Sequence, residues 1–244
     1  LPVFVTVLGL SMLNACGAGS ATAIGGDAAE NRLTGTPGAD NIRGFDGDDH
    51  MEALGGDDRI GGMSGLDTLF GGDGRDVIVS GSEADHAYGG SGIDQVIGLG
   101  GQDWLYGGEG PDALSGGQDD DHVYAGGGGG VAKGSTGEDE VVGGGGRDRL
   151  DGEADDDRVA GGPGDDRLEG GDGDDILDGE VGDDSMFGEP GRDVLRGGDG
   201  DDFVDAADDV AGEKVDCGPG SRDIAQVDDG DSVTNCEIVR APGD

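Results

Sequence analysis

A strict nine-residue interval constrains this chain more than any other feature. Asp40, Asp49, Asp58, Asp67, Asp76, Asp85, Asp94, Asp103, Asp112, Asp121, Asp139, Asp148, Asp157, Asp166, Asp175, Asp184, Asp193 and Asp202 all fall on it, and of its nineteen places only Gly130 lacks the acid. Frames of nine drawn from Gly35 to Asp205 run nineteen times without insertion or deletion, and Gly71–Val79 (GGDGRDVIV) and Gly197–Asp205 (GGDGDDFVD) show the pattern cleanly. Position 6 is the aspartate, position 8 is apolar in all nineteen frames, and positions 1 and 4 are each Gly in sixteen. A fixed period of this kind specifies a solenoid, whose units bury their apolar residue only by stacking on neighbours.

The residue types at each position say what a unit does. Glycines at positions 1, 2 and 4 permit positive φ and tight turns with exposed carbonyls. In the x-U-x segment at positions 7 to 9, position 8 faces one way and its neighbours the other. The periodic donors are oxygen only, with no periodic His or Cys, which suits a hard cation such as Ca²⁺ better than zinc or copper. Magnesium, with its strict octahedron and retained waters, fits less well.

Charge points the same way. The chain carries 56 acidic against 14 basic residues, a formal −42, which excludes nucleic acid as a natural partner. Stacked frames place equivalent aspartates about 4.8 Å apart, where like charges repel by about 1–3.5 kcal/mol at effective dielectrics of about 80 to 20. Bound cations turn that repulsion into attraction. Without metal, an acidic, glycine-rich, aromatic-poor chain reads as disordered; with Ca²⁺ it reads as folded. Weak calcium modules, with Kd of about 10⁻⁴–10⁻³ M, work outside the cell.

The frames resemble the RTX, or haemolysin-type, calcium-binding nonapeptide repeats. The resemblance implies an all-β parallel β-roll of about nineteen half-turns, with six residues of each frame in a metal-binding turn and three in a short strand. It also implies that the position-6 aspartates supply carboxylate oxygens, and the glycine positions backbone carbonyls, to several Ca²⁺ ions held between successive turns. On this basis residues 35–205 form the roll, 17–34 a linker and N-terminal cap, and 206–244 a C-terminal cap.

The ends bear on compartment. Leu1–Leu13 is an uncharged apolar run, too short to span a membrane as a stable helix, and reads as the h-region of a secretory signal within a leader at 1–16. Leu13-Asn14-Ala15-Cys16 also resembles a bacterial lipobox, in which Cys16 would carry a lipid and provide the one membrane attachment. The missing initiator Met and basic n-region, and the Asn at that place, depart from the pattern; a truncated chain or an alternative start codon would account for the first two. Cys217 and Cys236 remain as a pair outside the repeats. In an exported chain such a pair favours a disulfide, worth about 3 kcal/mol for a loop of this length; two buried free thiols are the other reading. Val215–Val239 resembles the Cys-closed tail that follows haemolysin-type repeats in some exported bacterial proteins, and its expected role is to finish the last coil.

Catalysis finds no foothold. His50, His86 and His122 all fall at the outward position 7, and no nucleophile elbow, zinc-protease helix or phosphate loop is present. Pairs such as Asp165-Asp166 are positions 5 and 6 of a turn, not acid/base dyads. Frames on one face differ by 18 residues, and one face collects Phe70, Tyr88, Tyr106 and Tyr124 at position 9 with His86, Trp104 and His122 at position 7. That stripe reads either as a cross-strand ladder that stiffens the sheet or as a docking surface for a cell-surface glycan or a second copy of the chain. Gly130 shares an edge with Asp112 and Asp148, so metal binding should weaken there. The sequence thus reads as an extracellular or cell-surface calcium-binding repeat protein, not an enzyme. Its alternatives are an adhesin or ice-binding scaffold using one face, or the repeat part of a larger secreted toxin or enzyme.

Overall fold

A computed structural model describes residues 21–208 and 210–241. The leader and lipobox readings, including Cys16, lie outside the described residues. Twenty-five short strands alternate between two parallel sheets, the odd-numbered strands forming one of thirteen and the even-numbered strands one of twelve. The chain is therefore a solenoid, as the nine-residue period predicts, and a parallel β one with two frames to each turn, as the resemblance to the nonapeptide repeats implies.

The register is the sequence period made visible. In β10 (Trp104–Glu109) and β12 (His122–Gly127), Trp104 pairs with His122, Leu105 with Val123 and Tyr106 with Tyr124, each 18 residues on. Position 8 of every frame points inward: Ile42, Leu69, Leu105, Leu150 and Leu177 are all fully buried, and the row runs unbroken to Val204. A slip of one residue would turn this whole row to solvent, so the alternation pins the register.

The strands are longer than the three residues expected. In the middle of the roll they run for six, from position 7 through position 3 of the next frame, as β11 (Ala113–Gln118) does. Positions 1 to 3 still find their partners one coil away, as in the pairing of Gly117 with Leu99, so the ladder continues into what looks from sequence like turn.

Both sheets also continue past the frames. At the start, Thr22–Gly25 pairs with Asp40–Asp46 and Arg32–Thr34 with His50–Glu52, already 18 residues apart. At the end, Lys214–Asp216, Ile224–Val227, Ser232–Thr234 and Ile238–Arg240 extend the two sheets with altered spacing: Val194 pairs with Lys214, and Phe203 with Ile224. Cys217 and Cys236 form a disulfide, with Cα atoms 5.2 Å apart, so the free-thiol alternative falls away.

Candidate metal sites along the two edges

Each position-6 aspartate sits where the turn enters a strand, and its side chain folds under the turn. All eighteen are buried, none more than 3% exposed. Fifteen of their amides donate to Oδ1 of the position-6 aspartate one coil ahead, as Asp40 does to Asp58 at 2.7 Å, Asp103 to Asp121 at 2.8 Å and Asp157 to Asp175 at 2.8 Å. Two ladders result, one on each edge of the roll. The first passes through Asp40, Asp58, Asp76 and Asp94, the second through Asp49, Asp67, Asp85 and Asp103.

The second carboxylate oxygen has no such partner. Oδ2 of seventeen of these aspartates, and Oδ1 of Asp40, are buried without a hydrogen bond. Buried carboxylates that lack partners are costly. Burial accordingly pushes the carboxyls up from their ordinary value, to about 6 at Asp112, about 7 at Asp85 and Asp103, and about 8 at Asp121 and Asp157. The amide donated by the preceding coil opposes that rise. Neighbouring aspartates of the same ladder add to it, as Asp103 and Asp139 do at Asp121.

Position-1 glycines are explained by space and not by φ. Position 2 is where the backbone turns left-handed, even where the side chain is large: Phe45, Met63 and Leu99 have φ of 84°, 88° and 89°. A Cβ on Gly161 would instead lie 2.7 Å from Asp166 Oδ2 and 2.9 Å from the Gly179 carbonyl oxygen. Two oxygens from successive coils thus converge over most position-1 glycines, a cradle that a side chain would fill. At position 4, Asp119 and Asp155 accept the left-handed conformation with φ of 71° and 81°, which Asp tolerates better than most residues.

The aspartates at position 5 form a feature that the period alone does not reveal. They are exposed and run the opposite way, accepting from the amide one coil ahead: Asp48 from Leu66, Asp156 from Asp174, Asp183 from Asp201. Each edge therefore carries an inner ladder and an interrupted outer one of opposite direction. The Asp-Asp pairs signal it, once read as positions facing opposite sides of one turn.

No cluster of three or more His, Cys, Asp or Glu side chains able to hold a metal occurs among the described residues. One carboxylate per half-turn, with the remaining oxygens from backbone carbonyls, is what the edges offer. That oxygen-only, anionic, preformed donor set fits a hard cation of calcium's type.

Gly130 interrupts one of the two ladders. Gly130 still donates its amide to Asp148 Oδ1 at 2.6 Å, but offers no carboxylate to the amide of Asp112. Position 1 of that frame is Ala125, buried, where no aspartate side chain competes for the space.

Trp104, the three tyrosines, the three histidines and Phe70 gather on the twelve-stranded sheet, whereas Phe45, Phe187 and Phe203 lie on the other. Phe70, Tyr88, Tyr106 and Tyr124 stack face to face with centroids 4.8, 4.9 and 5.1 Å apart and planes within 9°. His86, Trp104 and His122 form a second row, with Trp104 and His122 at 4.0 Å. Glu140 closes the stack, accepting from Tyr124 Oη and pairing with His122 Nδ1, both at 2.8 Å.

The profile of the RTX calcium-binding nonapeptide repeat, four copies, matches residues 25–60, 61–96, 97–132, 133–168, 160–195 and 181–209. The chain belongs to this family. No curated protein matches it. RTX repeats bind Ca²⁺, and the aspartate ladders are of the kind found in calcium-binding β-rolls. No helix among the described residues is long and apolar enough to cross a membrane.

Proposed function

We propose that this is an exported, non-catalytic protein whose roll folds on binding Ca²⁺ at the eighteen position-6 aspartates. The observation that carries the reading is the unpartnered carboxylate oxygen repeated at every one of them. A buried anion without a donor is tolerable when a proton or a cation compensates it. At neutral pH and millimolar Ca²⁺ the cation does so, and binding to the folded state alone draws the chain out of disorder by mass action. The repeats account for residues 25–209, and the family match contains no catalytic domain.

Export is supported by the apolar leader, by the Cys217–Cys236 disulfide and by the habit of RTX repeat proteins, which are typically secreted. The test is far-UV circular dichroism of the full chain with and without millimolar Ca²⁺. A gain of β signal on adding the ion is expected, and no gain would overturn the reading.

For the aromatic face, the stacking favours the stiffening role. A glycan platform needs an open ring face, and here Tyr88 and Tyr106 each have a ring on both sides, leaving edges towards solvent. Self-association through those edges is the docking mode that the geometry leaves. Truncating Trp104 and Tyr106 to Ala should leave calcium-induced folding intact; a loss of glycan binding or of dimerisation in that variant would favour docking.

A further inference from the structure

The two ladders do not stop with the last nonapeptide. Asp202 donates its amide to Oδ1 of Asp223 at 2.8 Å, the bond that joins aspartates throughout the roll, although Asp223 is 21 residues on and not 18. The Ile224 amide donates to the Asp202 carbonyl at 2.8 Å, as that of Val77 does to Asp58 at 2.9 Å. Asp223 therefore occupies position 6 of an irregular coil. Its own amide continues the ladder to Glu237 Oε2 at 3.0 Å. On the other edge Lys214 bonds the Asp193 carbonyl at 2.9 Å, which puts Glu213 in the equivalent place, and the Glu213 amide goes on to Asp231 Oδ1 at 3.3 Å.

Both residues share the buried, donor-free oxygen of the repeat aspartates, although Glu213, unlike Asp223, accepts no amide from the coil before it. Glu213 and Asp223 are fully buried, no donor reaches Oε1 or Oε2 of Glu213 or Oδ2 of Asp223, and the groups that face them are further carboxyls, Asp231 beside Glu213 and Glu237 beside Asp223. The carbonyl cradle is rebuilt as well. Over Gly197, in the place where most regular coils bring up the carbonyl of the next position-1 residue, the Cys217 carbonyl oxygen stands beside Asp202 Oδ2. The disulfide to Cys236 fixes the residue that presents it.

A cap that only covered the last coil would place apolar or hydrogen-bonded side chains at these two positions, because an unpartnered buried acid destabilises a cover. We propose that the C-terminal cap binds Ca²⁺ itself, with Glu213 and Asp223 as carboxylate ligands beyond the repeats and the disulfide-held Cys217 carbonyl completing the last cradle. The inference rests on the calcium reading of the roll. Both acids lie past residue 209, outside the matched repeats. The cap is thereby an ion-dependent terminus.

The test uses the full oxidised chain and its E213Q, D223N and double variants, isosteric changes that remove the charge and keep the shape. Calcium bound per chain is counted by equilibrium dialysis, and hydrogen exchange over 206–241 is followed against Ca²⁺ concentration. The double variant should bind about two fewer ions, and its cap should need at least about tenfold more Ca²⁺ for protection, since metal binding and folding are linked. An unchanged count and an unchanged calcium requirement would overturn the proposal while leaving the roll's calcium binding in place. A parent chain that binds no Ca²⁺ would overturn both. If the amide variants fail to fold, E213D and D223E retain a carboxylate at altered reach. They should raise the calcium requirement of 206–241 alone, and no change there would equally sink the proposal.

Discussion

The amide of Asp103 donates to Oδ1 of Asp121 at 2.8 Å, while Oδ2 of the same carboxylate is buried with nothing to accept from. One oxygen thus splices two coils and the other is held in reserve. Along an edge the splice repeats at each coil, so the feature that gives the roll its register also stores negative charge in its wall. Either a proton or a metal ion must neutralise that charge before the coils close.

Protons should therefore substitute for calcium in part. Thirteen of the eighteen ladder carboxyls are raised from 3.8 to about 6 to 8, first by burial and then by their like-charged neighbours. A raised folded-state value means that protonation favours the fold: the contribution is present in full below about pH 3.8 and is lost as pH rises through about 6 to 8. The metal-free chain should gain β structure on acidification from pH 8 to pH 5. In the calcium-loaded chain the same protons compete with the ion, so the Ca²⁺ concentration needed for half-folding should depend on pH over that window. A pH-independent circular dichroism signal without metal would contradict the assignment.

Much of this was legible in the sequence because the period is unbroken from Gly35 to Asp205. The two sheets, the buried position-8 row, the aspartate edges, the gap at Gly130 and the Cys217–Cys236 pairing all follow from spacing and residue type. What was missed lies where spacing fails. Glu213 follows Asp193 by 20 residues and Asp223 follows Asp202 by 21. Extra residues loop out of the turn, the Asp202–Asp223 splice survives while none joins Asp193 to Glu213, and a strict count passes over both acids. Asn31, which holds position 6 one frame before Asp40 and donates its amide to Asp49 Oδ1 at 2.8 Å, was hidden by its residue type. The role of the position-1 glycines was assigned to φ because the approach of a carboxylate from the same frame and a carbonyl from the next coil is a three-dimensional fact.

That approach makes Gly161 a discriminating position. Its φ is not in the left-handed region, so on conformational entropy alone Gly161→Ala would stabilise by about 0.4–1 kcal/mol. The added Cβ would instead press on Asp166 Oδ2 and the Gly179 carbonyl. Overpacking of this kind costs about 1–3 kcal/mol, and it falls on the oxygens that would face the ion. We expect a lower urea midpoint at fixed Ca²⁺ and a weaker calcium response. Ala53 and buried Ser80 hold the same position elsewhere, so the fold absorbs the cost. A variant more stable than the parent would show that the cradle is slack.

The gap at Gly130 should be the first place to open. Asp112 loses the carboxylate that would splice it to the next coil, and Asp148 receives only a glycine amide from behind. As Ca²⁺ is withdrawn, hydrogen exchange should appear in the stretch from Asp112 to Asp148 on that edge before it appears around Asp157 and Asp175, where the ladder is intact. Uniform exchange along the roll would mean that the missing acid carries no local weight.

The aromatic stack should contribute through neighbours and not through burial alone. Tyr106 lies 4.9 Å from Tyr88 and 5.1 Å from Tyr124, with its ring plane nearly parallel to both. Stacked pairs of this geometry are worth about 0.5–1.5 kcal/mol beyond the area they cover. A double-mutant cycle of Tyr88→Ala and Tyr106→Ala, measured by urea unfolding at saturating Ca²⁺, should return a coupling energy of that size. The cycle of Tyr88 with Tyr124, whose rings are separated by Tyr106, should return close to none, because coupling fades once no contact is shared. Equal coupling in the two cycles would mean that the rings act through the backbone of the sheet. In that case the face would be stiff for reasons its side chains do not supply, and their edges would be free to serve a partner.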